Sequence, residues 1–217
     1  MPRVLELRLA GEPVQVLADR ALYWPARRRL LIADLHLGKG AILRSAGIAV
    51  PSGGTGHDLA RLDGLLRETS ARELWVLGDF LHGARHADVE HAWRGLLATH
   101  PGLEVGVVAG NHDRALVAAE LGVRLLPEDV PDGPFRFRHQ PLDVADAHGL
   151  HVMCGHVHPV VRLPGLRGRY PAFLLAAGQT ILPAFSAFTG GQRVDDCAAA
   201  WIACADGELL AHHPREI

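Results

Sequence analysis

The segment Glu73-Leu74-Trp75-Val76-Leu77-Gly78-Asp79 contains the pattern that decides the fold. In it, an apolar run is followed at once by a glycine and a carboxylate. A short run of this kind is typical of a strand buried inside a sheet. Because glycine adopts conformations that other residues avoid, the backbone can turn sharply where the strand ends. The pattern therefore predicts a buried strand with Asp79 just beyond its carboxyl end.

Three more apolar runs along the chain are followed at once by Asp, Asn or His side chains, two of them after a glycine. In open α/β sheets, binding sites form just beyond the carboxyl ends of the strands. Alternate residues of an extended segment project to the same side, so Asp34 and His36 are expected to face one centre. His156 and His158 are expected to face one centre or two adjacent ones. The three segments are Ile32-Ala33 followed by Asp34-Leu35-His36, Val107-Val108-Ala109 followed by Gly110-Asn111-His112-Asp113, and Val152-Met153-Cys154 followed by Gly155-His156-Val157-His158.

The order of the predicted elements indicates an α/β fold with a parallel sheet. In the second half, apolar runs separated by Pro and Gly predict another sheet packed on the first. We expect one domain over 1–217, with two packed β-sheets flanked by helices. Strands are predicted over 13–18, 21–24, 29–33, 73–77 and 103–109 in the first half, and over 135–137, 151–154, 173–177 and 199–203 in the second. One helix is predicted to begin at Thr55, which would cap it, a second to cover 88–99, and a third to cover 114–121 and end at Gly122.

The composition is that of an ordinary globular protein, with 48% hydrophobic and 21% charged residues. No apolar run reaches the roughly 18–20 residues of a membrane helix, and the N-terminus turns polar too soon for a signal peptide. A cytoplasmic location without membrane association is therefore expected. Cys154, Cys197 and Cys204 form no CxxC pair, which argues against a disulfide framework and a thiolate zinc site. The net charge of -2 argues against tight, non-specific binding of duplex nucleic acid.

The imidazole and carboxylate groups of the four clusters indicate a metal centre. Such a mixed ligand set suits Mn, Fe, Zn or Ni better than Ca or Mg. Taken singly, each cluster also has a structural explanation. Asp34-x-His36 could be a hydrogen-bonded pair in a loop, and Gly110-Asn111-His112-Asp113 could be a turn held by the Asn side chain. Their joint occurrence at four strand ends favours two metal ions bridged by a carboxylate.

Taken in order, these motifs resemble those of the calcineurin-like metallophosphoesterase superfamily. His82 stands where the second family motif usually has Asp, at a position that is not normally a metal ligand. Segments 33–40, 44–51, 77–82, 155–159 and 183–191 are also similar to the bacterial ligase-associated DNA-damage-response phosphoesterases, the PdeM group. The resemblance implies a double β-sandwich flanked by helices. The motifs are Asp34-x-His36, Gly78-Asp79-x-x-His82, Gly110-Asn111-His112-Asp113, His139 and Gly155-His156-x-His158.

The resemblance also implies which residues hold two divalent metal ions, most simply Mn²⁺. His139 depends on the resemblance, because Arg138-His139-Gln140-Pro141 contains no metal-binding motif of its own. His148 and His151 are its rival candidates. The implied ligands are Asp34, His36 and His158 for one ion, Asn111, His139 and His156 for the other, and Asp79 as the bridge between them.

Two ions about 3.5–4 Å apart would lower the pKa of a bridging water and hold the phosphoryl oxygens for in-line attack by the resulting hydroxide. By resemblance, His112 protonates the leaving oxygen or stabilises the charge of the transition state. Asp113 would orient His112 and raise its pKa, or cap a helix that begins at Arg114. Lys39, Arg44 and Arg114 are candidates for contacts with substrate phosphate, with a solvated role as the alternative for each.

The resulting hypothesis is a dinuclear-metal-dependent phosphodiesterase. By resemblance, it is a nuclease associated with DNA repair and with DNA ligase and helicase machinery. One alternative is a small-molecule nucleotide or pyrophosphate phosphohydrolase, since the chain is compact and nearly neutral. An alternative of another class is a catalytically inactive scaffold, which the presence of His112 and Asp79 disfavours. The segment around Phe185 and Phe188 is expected to pack in the core, with an oligomer interface as the alternative.

Overall fold

The computed structural model describes residues 1–83, 86–195 and 199–212. Within these residues, a first sheet has seven strands that lie side by side in chain order. The first four pair antiparallel, and the fourth to the seventh pair parallel. The strands are β1 (Val4–Leu9), β2 (Glu12–Leu17), β3 (Ala21–Trp24), β4 (Arg29–Ile32), β5 (Glu73–Leu77), β6 (Glu104–Val108) and β7 (Arg124–Leu126).

The second half of the chain forms the second sheet, which has nine strands in the part of the chain that the structure describes. Its central strands β9, β10 and β13 pair parallel, so their carboxyl ends meet at one edge. The strands are β8 (Asp129–Asp132), β9 (Phe135–Arg138), β10 (His151–Cys154), β11 (Pro159–Val161), β12 (Tyr170–Ala176), β13 (Gln179–Ile181), β14 (Gln192–Arg193), β15 (Ala200–Ala205) and β16 (Glu208–His212).

The two sheets pack against each other through aromatic side chains. Trp24 meets Phe135 edge to face with ring centroids 4.8 Å apart, and Trp75 meets Phe137 in the same way at 5.1 Å. Aromatic pairs in this arrangement add to the stabilisation that their buried area provides. These residues belong to one buried cluster that draws on both sheets. The predicted fold of two packed sheets flanked by helices is confirmed.

Helices cover the outer face of the first sheet. Leu62 of one helix and Trp93 of another are fully buried in the same cluster as Ile32 of β4. Trp93 Nε1 also donates a hydrogen bond to the carbonyl of Leu121 at 2.8 Å. The helices are α1 (Lys39–Ser45), α2 (Gly54–Thr69) and α3 (Ala87–Thr99), with 3₁₀ helices at Pro25–Arg27, Asp113–Ala115, Ala118–Leu121 and Val144–Ala147.

Two local predictions were wrong. Thr55 is not a helix cap, because α2 already begins at Gly54 and its capping residue is Gly53, at φ 87°. Segment 114–121 is not one helix either. It contains two 3₁₀ helices, interrupted at Leu116, whose ψ of 114° is extended.

Several sequence predictions concern regions away from the strand ends. Phe185 is fully buried in the core, as core packing of this segment predicts. Among the described residues, no helix is long and apolar enough to cross a membrane. Cys154 and Cys204 have free, buried thiols, and burial raises the pKa of each to about 12. Cys197, the third cysteine of the chain, lies outside the described residues.

Candidate metal centre

The predicted ligands lie at the carboxyl ends of strands in both sheets. Backbone hydrogen bonds join the first two motifs directly: the amide of Asp34 donates to the carbonyl of Gly78 at 3.1 Å, and that of His36 to the carbonyl of Asp79 at 2.7 Å. The amide of His156 donates to Asp34 Oδ2 at 2.9 Å and so ties the second sheet to the first. The two halves of the chain thus meet at this edge.

Most of these ligands adopt a left-handed backbone conformation, which residues other than glycine seldom do. The expectation that extended segments aim Asp34 and His36 at one centre was therefore wrong in its geometry, although both do face it. Such conformations cost about 1–3 kcal/mol each and concentrate at functional sites. The residues concerned are Asp34 at φ 54°, His36 at 48°, Asp79 at 49°, His156 at 68° and His158 at 51°.

Glycines of the motifs make room for the ligands. At Gly78, a Cβ atom would overlap the imidazole of His139. At Gly110, a Cβ atom would overlap the carboxylate of Asp79. The glycines therefore do more than allow the turns that their positions predict, because each one leaves space that a ligand side chain fills.

Four predicted ligands converge tightly, and we call Asp34, His36, Asp79 and His158 the closed cluster. One ligand atom from each lies within 4.8 Å of the others. Asp34 is 0% exposed, and His36 and Asp79 are each 3% exposed. Asp34 Oδ1, His36 Nε2 and His158 Nε2 are buried and form no hydrogen bond, although Asp34 Oδ1 and His158 Nε2 lie 3.2 Å apart. Buried polar atoms without a partner are costly, so the cluster has the donor atoms and the electrostatic need for a cation.

His36 is oriented by His82, a contact that sequence reasoning did not find. Their Nδ1 atoms are 3.1 Å apart. Burial and then the charge of Lys39 lower the pKa of His36 to about 2, and the same causes lower the pKa of His82 to about 4. Both rings are therefore neutral near pH 7. A free lone pair on His36 Nε2 requires its proton on Nδ1, which donates to His82.

The remaining three predicted ligands form a more accessible group, and we call Asn111, His139 and His156 the open cluster. His139 is 5% exposed, whereas Asn111 and His156 are exposed. His139 Nε2 lies 3.1 Å from His156 Nδ1, and His139 Nδ1 lies 3.2 Å from the carbonyl of Leu77. The contact with the carbonyl requires the proton on Nδ1, so Nε2 is unprotonated and can accept from His156 Nδ1 or bind a metal. Asn111 Oδ1 accepts a hydrogen bond from Gln140 at 3.2 Å.

His139 directly follows β9, so it occupies a strand end like the other ligands. The predicted apolar strand at 135–137 contained this signal, which sequence reasoning did not use. The rival candidates lie elsewhere: His148 ends a 3₁₀ helix in a left-handed conformation, and His151 Nε2 is 2.9 Å from Thr180 Oγ1 on β13.

Asp79 lies between the two clusters. Its Oδ2 is 3.7 Å from His36 Nε2, and its Oδ1 is 3.8 Å from His139 Nε2. Its Oδ1 also accepts a hydrogen bond from the backbone amide of His112 at 2.9 Å. A carboxylate with one oxygen toward each group of ligands has the geometry that a bridging role requires.

The chain is similar to known proteins of solved structure. No protein-family model matches the chain, and neither does any curated protein. Among solved structures, the Pseudomonas putida nuclease MPE is 37% identical, with 96% of this chain and 100% of that chain covered and a TM-score of 0.83. The chain belongs to the metallophosphoesterase family.

Two further solved structures are more distant. A protein of unknown function from Aquifex aeolicus is 18% identical over 60% of this chain and 78% of that chain, with a TM-score of 0.45. The E. coli phosphoesterase YfcE is 15% identical over 86% of this chain and 93% of that chain, with a TM-score of 0.42. Family membership and the closed cluster together make the chain a metal-dependent phosphoesterase.

His112 and Asp113 are placed differently from each other. The ring of His112 is exposed and stacks on His82 with centroids 4.6 Å apart, beside the closed cluster. Asp113 is buried, and its carboxylate accepts hydrogen bonds from the backbone amides of Phe80, Leu81 and Gly110. Among the described residues, no hydrogen bond joins Asp113 to the His112 ring. The structure therefore supports Asp113 as a brace between two motifs, and neither orientation of His112 nor helix capping is observed.

The three cationic candidates for substrate contact also differ. The Lys39 ammonium is near the closed cluster: burial lowers its pKa, and the charges of Asp34 and Asp79 oppose this effect. Arg44 donates a hydrogen bond to the carbonyl of Pro51 at 3.1 Å and so supports a loop. Arg114 lines a cavity beside the open cluster.

The segment 183–191, part of the family resemblance, supports the closed cluster from behind. The amide of Phe185 donates to the carbonyl of Ala33 at 2.8 Å, and that of Ser186 to the carbonyl of Asp34 at 3.2 Å. Asp58 of α2, which is 3% exposed, accepts from the amide of Ala187 at 3.2 Å. Its neighbour Arg61 donates to the carbonyl of Phe185. A buried ion pair on α2 thus fixes the segment that holds the Asp34 backbone.

Proposed function

We propose that this protein is a dinuclear-metal-dependent phosphodiesterase whose substrate is a nucleic acid. The observation that carries the proposal is the closed cluster, with three buried ligand atoms that lack hydrogen-bond partners, joined through Asp79 to the open cluster. The similar Pseudomonas putida protein is a nuclease, which supports this class of substrate. By family resemblance, we extend the proposal to DNA repair alongside ligase and helicase machinery.

Two ions held by these residues would activate a water molecule and neutralise phosphoryl oxygens, for which Mn²⁺ is the first candidate. The chain's own residues then have separate tasks. Asp79 holds the two halves of the site in register, and His36 and His139 direct their Nε2 atoms toward it. The exposed His112 ring can reach the leaving oxygen of a bound ester and supply a proton to it. Lys39, next to the closed cluster, attracts the substrate's negative charge.

The proposal is tested by a panel of substrates with purified protein and added Mn²⁺. The panel contains bis-p-nitrophenyl phosphate, p-nitrophenyl phosphate, cyclic nucleotides and single- and double-stranded DNA. We expect hydrolysis of the diester and of DNA. We expect Asp79→Asn to lower kcat by more than about 100-fold, since loss of even an outer contact to a metal ligand costs about 10–100-fold. We expect His112→Ala to lower kcat by about 10²- to 10⁴-fold, the usual contribution of a general acid. His91→Ala, at an exposed position on α3, is the control.

Wild-type activity in either variant would contradict the assigned roles. Cleavage of cyclic nucleotides without cleavage of DNA would favour a small-molecule phosphohydrolase. A protein that binds Mn²⁺ but cleaves no activated diester would indicate a scaffold.

A further inference from the structure

A cavity of about 410 Å³ opens beside the open cluster, and we call it the flanking pocket. Asn111 and His139 are among its lining residues, so a molecule bound there would lie next to the proposed metal centre. Pockets of roughly 300–1,000 Å³ hold small organic ligands. The flanking pocket therefore has room for about one nucleotide next to the reacting phosphate.

Two guanidinium groups line the flanking pocket, from Arg114 and Arg138. Among the described residues, the Arg114 side chain makes no ion pair or hydrogen bond. The Nε atom of Arg138 is buried and has no hydrogen-bond partner. Glu128 is the acidic residue in the lining, and it is exposed. The pocket thus has unused donors of the planar kind that bind phosphate oxygens in pairs.

Arg136 shows that Arg138 is not simply one half of a structural ion pair. Both arginines project from the same face of β9, and their side chains are 21% and 22% exposed. Asp129 forms a close ion pair with Arg136, with Nε 2.7 Å from Oδ1. Its ion pair with Arg138 is longer, with NH1 3.4 Å from Oδ2. Arg136 does not line the pocket. The two residues are therefore alike in strand, exposure and ion-pair partner, but differ in access to the site.

We propose that the flanking pocket binds the nucleotide next to the scissile phosphodiester, with Arg138 and Arg114 on the neighbouring phosphate. This inference rests on the proposed function and makes it more specific. It favours a substrate with at least two phosphates along one strand. It also explains how a nearly neutral protein, at net charge -2, can select a polyanion: the positive charge is local to one pocket.

The first test uses chromogenic esters that differ by one phosphate. Thymidine 5′-p-nitrophenyl phosphate is compared with its 3′-phosphorylated form, and thymidine 3′-p-nitrophenyl phosphate with its 5′-phosphorylated form. Both polarities are included because either strand direction could fill the pocket. In one pair we expect the second phosphate to raise kcat/KM by on the order of 10- to 100-fold, the effect of a charge-assisted hydrogen bond.

Arg138→Ala and Arg114→Ala should each reduce this ratio toward one, because they lower kcat/KM for the ester with two phosphates more than for the ester with one. Arg136→Ala should keep the wild-type ratio. The inference is overturned if the second phosphate has no effect in either pair, or if Arg138→Ala slows all substrates equally. Failure of the proposed function gives a different result, since the wild type would then hydrolyse none of these esters.

The second test needs no catalysis. A fluorescent single-stranded oligonucleotide is titrated with metal-free protein at several salt concentrations. Each lost phosphate contact should reduce the slope of log K against log salt by about 0.7. We expect this change for Arg138→Ala and Arg114→Ala and not for Arg136→Ala. An unchanged slope in the first two variants, or an equal change in all three, would also overturn the inference.

Discussion

The closed and open clusters are built from the same kinds of residue, but they differ in burial and in how closely the surrounding fold fixes their side chains. Three of the four residues of the closed cluster are buried, its ligand atoms converge, and a helix-anchored segment supports it through Asp34. In the open cluster only His139 is buried, and Asn111 Oδ1 is engaged by Gln140. The difference indicates that the closed cluster is organised by the core, whereas the open cluster faces solvent.

The largest expected effect comes from damage to the open cluster alone. In Gly78→Ala, the new Cβ atom would overlap the His139 ring, so this ligand must move. We expect the bound Mn²⁺ to fall from two equivalents to one and activity to fall by more than about 100-fold. Metal analysis after dialysis measures the first change, and diester hydrolysis measures the second.

Gly102→Ala is the matched control for this variant. Gly102 has the same φ of +85°, and nothing lies within 4 Å of an added Cβ atom. It carries the same backbone strain, about 1–2 kcal/mol, without touching a ligand. Equal losses of activity in both variants would show that strain, not displacement of His139, is responsible.

The next effect tests the support of the closed cluster. Asp58→Asn removes the carboxylate that pairs with Arg61 at 3.3 Å and leaves a buried guanidinium unpaired. Breaking a buried ion pair from one side costs about 3–5 kcal/mol. We expect a lower free energy of unfolding in urea, together with weaker binding of the first Mn²⁺. Glu68→Gln, at an exposed position on the same helix, is the control; an equal loss of stability there would contradict the account.

A smaller effect is expected at His82, which orients His36 from outside the metal centre. His82→Ala removes the partner of the His36 Nδ1 proton, and we expect Mn²⁺ affinity to fall by about 10–100-fold. His82→Asn should restore part of the affinity, because an amide oxygen can accept the same proton. Calorimetric titration measures both, and wild-type affinity in His82→Ala would show that the contact is incidental.

The smallest expected effect is a change in the pH dependence of stability at His151, which was an alternative to His139 as a metal ligand. Burial lowers the pKa of His151 below its ordinary value of 6.5. The unfolded chain therefore takes up a proton below about pH 6.5 that the folded chain does not. Stability from this group is present above about pH 6.5 and is lost as the pH falls toward the folded pKa.

His151→Gln should remove this part of the pH dependence, at most about 1.4 kcal/mol per pH unit, and leave the Mn²⁺ stoichiometry unchanged. Urea unfolding of the metal-free protein measures the free energy of unfolding between about pH 5 and about pH 8, a range that spans the ordinary pKa of histidine. Loss of one metal equivalent in this variant would place His151, not His139, in the open cluster.

The sequence predicted the parts of the site that local chemistry dictates. Strands such as β5 end in glycine and a carboxylate, and that pattern located Asp79 and its counterparts at one edge. The left-handed backbone at Asp34 and His36 could not be predicted, because it depends on hydrogen bonds to Gly78 and Asp79 on the next strand.

Other contacts depend on residues far apart in the chain. The pairing of Asp58 with the segment 185–187 joins positions more than a hundred residues apart, and no local pattern encodes it. His82 had a visible signal, its departure from the family motif, but only the structure shows that it meets His36. His139 could have been placed from the end of the predicted strand at 135–137.

The central claim is that two adjoining metal positions share Asp79, and electron paramagnetic resonance of the Mn²⁺-loaded protein tests it most directly. The first equivalent should give the spectrum of an isolated ion in the closed cluster. The second should convert it to the spectrum of an exchange-coupled pair, and Asp79→Asn should abolish the coupling. Saturation at one equivalent, or a second ion without coupling to the first, would contradict the account.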